Sequence, residues 1–311
     1  MCWKETIAAY DMLDSANVTG EKVAASLFRV GLRAYVKRIT EERGYTDFVS
    51  VTIPGRDGKS NGGSAPTLGI IGRLGGVGAR PSRVGIVSDA DGCIAAIACA
   101  AKLGAMKQNG DELAGDVIIA THVCPHAPTV AHDPVPFMGS PVDMATMNKH
   151  EVSDQMDAVL SIDATKGNRV INRRGFAISA TVKEGYILRV AEDLLDIMSW
   201  TTGMPPSVFA ITTQDITPYG NGLYHMNSIL QPATATCAPV VGVSVTAESV
   251  VPGCATGANN LADIEAASRF CIEVAKQFTA GKCKFYDPEE FARLKSLYGD
   301  MRVLQTLGRS G

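Results

Sequence analysis

From residue 67 onward the chain alternates short, nearly uninterrupted apolar runs with longer stretches in which apolar residues recur every three or four positions. The runs 67–71, 83–87, 116–121, 158–162, 208–212 and 239–245 have strand length and lack the in–out alternation of a half-exposed sheet, so they read as strands buried on both faces. The periodic stretches 93–106, 184–201, 263–278 and 288–298 read as helices. This alternation predicts an α/β fold, three-layer α/β/α around a mostly parallel central sheet. Ligands of such sheets bind beyond the carboxyl ends of the strands.

Ahead of this region, Val23, Leu27, Val30, Leu32, Val36 and Ile39 keep helical spacing across 21–42, and a shorter helix is predicted over 6–13. Residues 1–45 are therefore expected to form a helical layer on the sheet. Glycine-rich 55–63 reads as an exposed loop. No repeat or shift in composition divides the 311 residues, so a single domain is expected. The longest stretch with little regular pattern, 122–150, carries five prolines; connections of that length inside a domain usually serve function.

Composition narrows the classes. With 46% hydrophobic and 20% charged residues the chain can bury a large core. A net charge of −3 argues against nucleic acid as a partner, and the trio Arg169, Arg173 and Arg174 suffices for one anionic group. No run of 18 apolar residues and no signal-like N-terminus is present, so a cytoplasmic protein without a membrane partner is expected. The eight cysteines form no Cys-x-x-Cys pair and read as reduced thiols.

Four of the five histidines, His122, His126, His132 and His150, fall in the irregular stretch. His122 and Cys124, two apart on extended chain, would face one side, and both suit borderline metals; His126 or His132 would add a third ligand. Alternatively these histidines bond backbone carbonyls in a loop. His150 reads as structural. Asp89 and Asp91, at the end of one run and the start of a helix, can converge on a cation or cap the helix. Asp163 closes the run 158–162, and Lys166 and Arg169 follow it, either orienting an anionic group or pairing with Asp163. Asp215 and His225 belong to a dense polar segment suited to a small ligand. Cys254 lies in a glycine turn that could cradle an anion.

The segments 72–80 (Gly-Arg-Leu-Gly-Gly-Val-Gly-Ala-Arg), 88–92 (Ser-Asp-Ala-Asp-Gly), 121–125 (Thr-His-Val-Cys-Pro), 136–143, 185–189 and 214–221 resemble a bacterial family of uncharacterised proteins, catalogued as a domain of unknown function and often associated with peptide-uptake genes. More distantly, Asp89 before Gly92 and an alanine-rich helix, the run from Asp116, and Asp163 at a later strand end resemble dinuclear zinc aminopeptidases of the deblocking type. That likeness implies their phosphorylase/hydrolase-like fold, a homo-oligomer, and metal ligands at the aspartates. The chain departs from it where an acidic pair is replaced by His122-Val-Cys124, where Asn259 and Asn260 stand before the last long helix, and in lacking a His-x-Asp ahead of Asp89.

The expected function is metal-dependent hydrolysis of an amide bond in a small peptide-like or amino-acid-derived substrate. Asp89, Asp91, His122 and Asp163 would hold divalent zinc or manganese, His126 or His132 would relay a proton, and Lys166 with Arg169 would fix a substrate carboxylate. Two other classes remain open at this point: a cofactor-independent racemase using Cys124 and Cys254 as opposed thiol bases, and a non-catalytic binding protein on a peptidase-like scaffold.

Overall fold

The computed structural model describes residues 1–73, 75–131, 136–223 and 228–309. Two helices open the chain, α1 (Trp3–Leu13) and α2 (Gly20–Phe28), followed by strands β1 (Ala34–Glu41), β2 (Gly44–Ile53) and β3 (Leu68–Gly72). Helix α3 (Asp91–Gln108), β4 (Val117–Val123), the short pair β5 (Thr129–Val130) and β6 (Phe137–Met138), and α4 (Met144–Glu151) come next. Then follow β7 (Ala158–Lys166), β8 (Gly175–Ile178), β9 (Val182–Lys183), β10 (Tyr186–Ile187), α5 (Glu192–Thr202), β11 (Val240–Ala247), α6 (Leu261–Thr279) and α7 (Pro288–Tyr298).

The sheet is mixed, with a parallel centre. Its order is β1-β2-β4-β3-β7-β11-β9-β10, with β8 also on β11; β4, β3, β7 and β11 run parallel, and the flanking pairs are antiparallel. Each central strand points alternate residues to two cores. Leu68, Ile70, Leu160, Ile162, Val241 and Val243 face α3 and α6, whereas Ile71, Ile118, Val159 and Val240 face Ile216, Ile229 and Leu230 of two 3-10 turns, Thr213–Ile216 and Ser228–Thr234. No helix among the described residues is long and apolar enough to cross a membrane.

Several expected elements differ. The helix predicted over 21–42 ends at Phe28, because Gly31 takes a positive φ of 78° and the chain re-enters as β1, paired with β2 from Ala34↔Val51 to Glu41↔Gly44. Val36 and Ile39, three apart, keep helical spacing, but on β1 they point to opposite faces, Val36 to the main core and Ile39 to the cluster of Phe48 and Met147, so pairing with β2 overrides the helical pattern. Asp47 of β2 anchors this hairpin: buried, it accepts from Arg38 at 2.6 Å and from the Gly20 N–H at 2.8 Å, tying strand to helix. Residues 1–45 are thus half helix and half sheet edge.

The run 83–87 is no strand, since Gly85 (φ 107°) breaks its extension and leaves isolated bridges Gly78↔Ile86 and Val87↔Thr256. The run 208–212 makes one bridge, Ile178↔Val208, before Thr212 caps a 3-10 turn. Within 184–201 the positive φ of Glu184 and Gly185 folds β9 onto β10, and the helix starts at Glu192. The stretch 122–150 is more ordered than expected: it begins inside β4, holds β5 and β6, and its His150 sits in the last turn of α4.

Leu160 is fully buried at the middle of the sheet. Leu160→Ala is expected to cost about 2–5 kcal/mol, read by chemical denaturation; a loss within error of zero would contradict this placement of the core.

Candidate functional site

Three parallel strands and their following turns bring charged side chains to one edge. Arg73 follows β3, His122 is the penultimate residue of β4, and Asp163 lies near the end of β7. The 3-10 turn Ser88–Ala90 carries Asp89 to that edge, and Asp91 opens α3 beside it. The approach is close. A Cβ on Gly92 would lie 2.4 Å from the Ile162 carbonyl oxygen, which excludes a side chain there, and one on Gly253 would lie 2.3 Å from Asp89 Oδ2, so a side chain there would have to displace the carboxyl.

Two buried ion pairs frame the site. Arg73, with no exposed surface, sets Nε 3.1 Å from Glu151 Oε2, donates to Asn148 Oδ1 and rests against the sulfurs of Met144 and Met147. Glu151, the last residue of α4, also meets His122 Nδ1 at 2.5 Å. His122 Nε2 accepts from the Gly75 N–H at 3.1 Å, which assigns the proton to Nδ1 and leaves neither ring nitrogen open. In the second pair Lys166 Nζ lies 2.6 Å from Asp91 Oδ2 and donates to the Ala258 carbonyl at 3.0 Å. Asn259 Nδ2 donates to Asp91 Oδ1 at 2.6 Å.

Asp89 and Asp163 lie beside these pairs with no ion-pair partner among the described residues. Burial, then repulsion from Asp91, pushes Asp89 up to about 7 against the pull of Lys166. Burial, then repulsion from Asp89, pushes Asp163 up to about 8, although Ser228 Oγ (2.7 Å) and the Ala164 N–H (2.7 Å) donate to it and Arg73 attracts it. Asp89 is buried, with 8% exposure, and makes no side-chain hydrogen bond among the described residues. Of the four carboxyls, Glu151 is offset by Arg73 and Asp91 by Lys166; among the described residues no further side-chain cation pairs with Asp89 or Asp163, a deficit of two positive charges.

The structure thus brings Asp89, Asp91 and Asp163 together, with His122 linked to them through Glu151 and Arg73. Lys166 serves Asp91 rather than a substrate. Arg169 is exposed on the turn after β7 and His126 is exposed beyond β4, so neither faces the carboxyls through any contact among the described residues. Asp215 is buried and closes a capping box with the Thr212 N–H at 2.6 Å, a structural duty. Cys124 and Cys254 share a small apolar cluster and donate to the carbonyls of Tyr45 (3.5 Å) and Pro136 (3.2 Å). Burial pushes the Cys124 thiol up to about 12, the opposite of a base poised near neutrality. His132 and His225 lie outside the described residues.

Arg73, Asn148, Glu151 and Ser228 are site residues that sequence reasoning did not single out. Arg73 had a signal, a lone cation at the end of a buried strand; Glu151 and Ser228 had none. Tyr219 also belongs here: burial and the nearby Asp163 push its phenol up to about 12, so it stays a donor.

A carboxyl raised in the folded chain holds its proton where the unfolded chain has lost it, so the stability it lends is complete below about pH 4 and lost as pH rises through the folded value. The metal-free chain is therefore expected to lose melting temperature between about pH 4 and pH 8, and Asp89→Asn with Asp163→Asn to flatten that slope. A double variant with the parent's pH profile would contradict the assignment. Lys166→Met, which strands Asp91, should cost about 3–5 kcal/mol in denaturant unfolding; a neutral result would show that the pair is not buried.

Comparison with known sequences gives one family, described as "Protein of unknown function (DUF1177)", matched over residues 37–308. No curated protein matches the chain.

Proposed function

The chain belongs to this family of unknown function, and from its own side chains we propose that it is a hydrolase assisted by a divalent cation and acting on an amide bond in a small peptide-like or amino-acid-derived substrate. The observation that carries the proposal is the deficit of two positive charges at Asp89 and Asp163, two coupled carboxyls buried at the carboxyl edge of parallel strands. In a low dielectric such a deficit is met by two protons or by one doubly charged ion.

Among the described residues Asp89 and Asp163 offer two carboxylates and no group of three or more potential metal ligands is present, so water would fill the rest of the ion's shell. The available donors are carboxylate oxygens, since both nitrogens of His122 are engaged and the Cys124 thiol stays protonated, so the set suits a hard ion such as Mn²⁺ or Mg²⁺ better than zinc. Bound there, the ion would lower the pKa of a water and polarise a carbonyl. Asp89 and Asp163 would hold it, Ser228 and the Ala164 N–H fixing the direction of Asp163. Arg73 and Lys166 keep the remaining carboxylates from competing for it. The Tyr219 hydroxyl, electrostatically coupled to Asp163 and Arg73, would donate to a developing oxyanion.

Manganese added at a hundredfold excess over its Kd should stabilise the chain by about 2.7 kcal/mol, read as a melting shift. Asp89→Asn and Asp163→Asn should each remove the shift and lower hydrolysis of N-acyl dipeptides at least a hundredfold. A chain indifferent to Mn²⁺ and Mg²⁺, with hydrolysis unchanged in both variants, would refute the proposal.

A further inference from the structure

Beside the carboxyl cluster a cleft of about 810 Å³ opens between α4, the loop 218–220, the 3-10 turn Ser228–Thr234 and the C-terminal residues 305–307. That volume suits a ligand of one or two amino-acid residues. Its wall leads to the site through two side chains, Asn148, which holds Arg73, and Tyr219, which feels Asp163.

Most polar groups lining this cleft are already engaged. The Asn148 amide donates to the Gln231 carbonyl and Thr234 Oγ1, both at 3.1 Å. Gln305 Nε2 donates to the carbonyls of Ala233 (2.7 Å) and Thr236 (2.9 Å), pinning the C-terminal segment as one wall. Asp143, the acid of the lining, accepts from the Thr146 N–H at 2.7 Å as the cap of α4, and that bond holds its carboxyl below the usual range. Two groups are left over. Lys149 is exposed at the cleft and pairs with no carboxylate among the described residues. Gln231 is fully buried, its Nε2 donates to the Thr217 carbonyl at 2.9 Å, and its Oε1 has no partner among the described residues.

We infer that this cleft binds a small carboxylate compound bearing an amide N–H, the C-terminal end of a short peptide or an N-acyl amino acid, with Lys149 receiving the carboxylate and Gln231 Oε1 the N–H. A free ammonium attracts the anion, and an unpartnered buried amide oxygen gains most from a ligand N–H. The inference names the substrate class of the hydrolase proposed above and rests on it for the bond cleaved; the binding itself does not depend on turnover.

The test is calorimetric titration of the full chain with N-acetyl dipeptides ending in glycine, alanine, leucine or phenylalanine, each as free acid and as carboxamide. At least one acid should bind ten times more tightly than its amide. Lys149→Met should bring that acid to the affinity of the amide, and Lys149→Arg should retain the preference, with the melting temperature of the unliganded chain unchanged in both. Acids binding no better than amides, no acid binding at all, or a preference that survives Lys149→Met would each overturn the inference. Running the titration on Asp89→Asn separates the two ideas: acid preference there, with Mn²⁺ inert on the parent chain, would sink the hydrolase and leave the carboxylate site standing.

Discussion

Charge buried at the carboxyl edge of the parallel strands is the constraint to which the rest of the molecule answers. Moving a carboxylate out of water costs several kcal/mol unless an opposite charge and hydrogen bonds replace the solvent. The fold gathers four at one place and supplies two buried cations, Arg73 and Lys166. Glu151 and Asp91 are thereby settled, and Asp89 and Asp163, with no ion-pair partner among the described residues, are the two that hold their protons to higher pH. Structural pairs and reactive carboxyls differ in their partners, not in their residue type.

Placing those groups so closely depends on backbone that has no side chain in the way. Gly92 lets the start of α3 press on the carbonyl of Ile162, and Gly253 lets the loop after β11 cover Asp89. Gly75 does the same for His122, whose ring nitrogen takes its N–H. Helix α4 then closes the opposite side, delivering Glu151 to both Arg73 and His122 from one residue. The site is a junction of segments that are remote in sequence: 73–75, 89–92, 122, 148–151, 162–166, 228 and 253.

That remoteness explains what the sequence discloses. The central strands are legible because burial on both faces leaves unbroken apolar runs, as at 67–71 and 158–162, and the carboxylates at their ends follow from the topology of parallel sheets. The β1–β2 hairpin is not legible, since the three-residue spacing of Val36 and Ile39 is that of a helix, and Gly31 with the partner strand overrides it. Asp89, Asp91 and Asp163 carry a positional signal at the sheet edge. His122 shows how a suggestive residue type misleads: an imidazole at a strand end looks like a ligand, and only the partners Glu151 and Gly75, far off in the chain, reveal that both nitrogens are taken. Arg73 is the reverse case, a chain-turn arginine whose importance appears once Glu151 and Asn148 meet it.

The central claim is that Asp89 and Asp163 hold protons where a divalent cation would otherwise sit. It is tested most directly by titrating the chain with Mn²⁺ at about pH 6 in buffers of different ionisation enthalpy, which counts protons released on binding. The account predicts release of close to two protons, falling toward zero as the pH is raised past about 8. Binding with no proton release at pH 6 would mean that the two carboxyls are already ionised, and would contradict it.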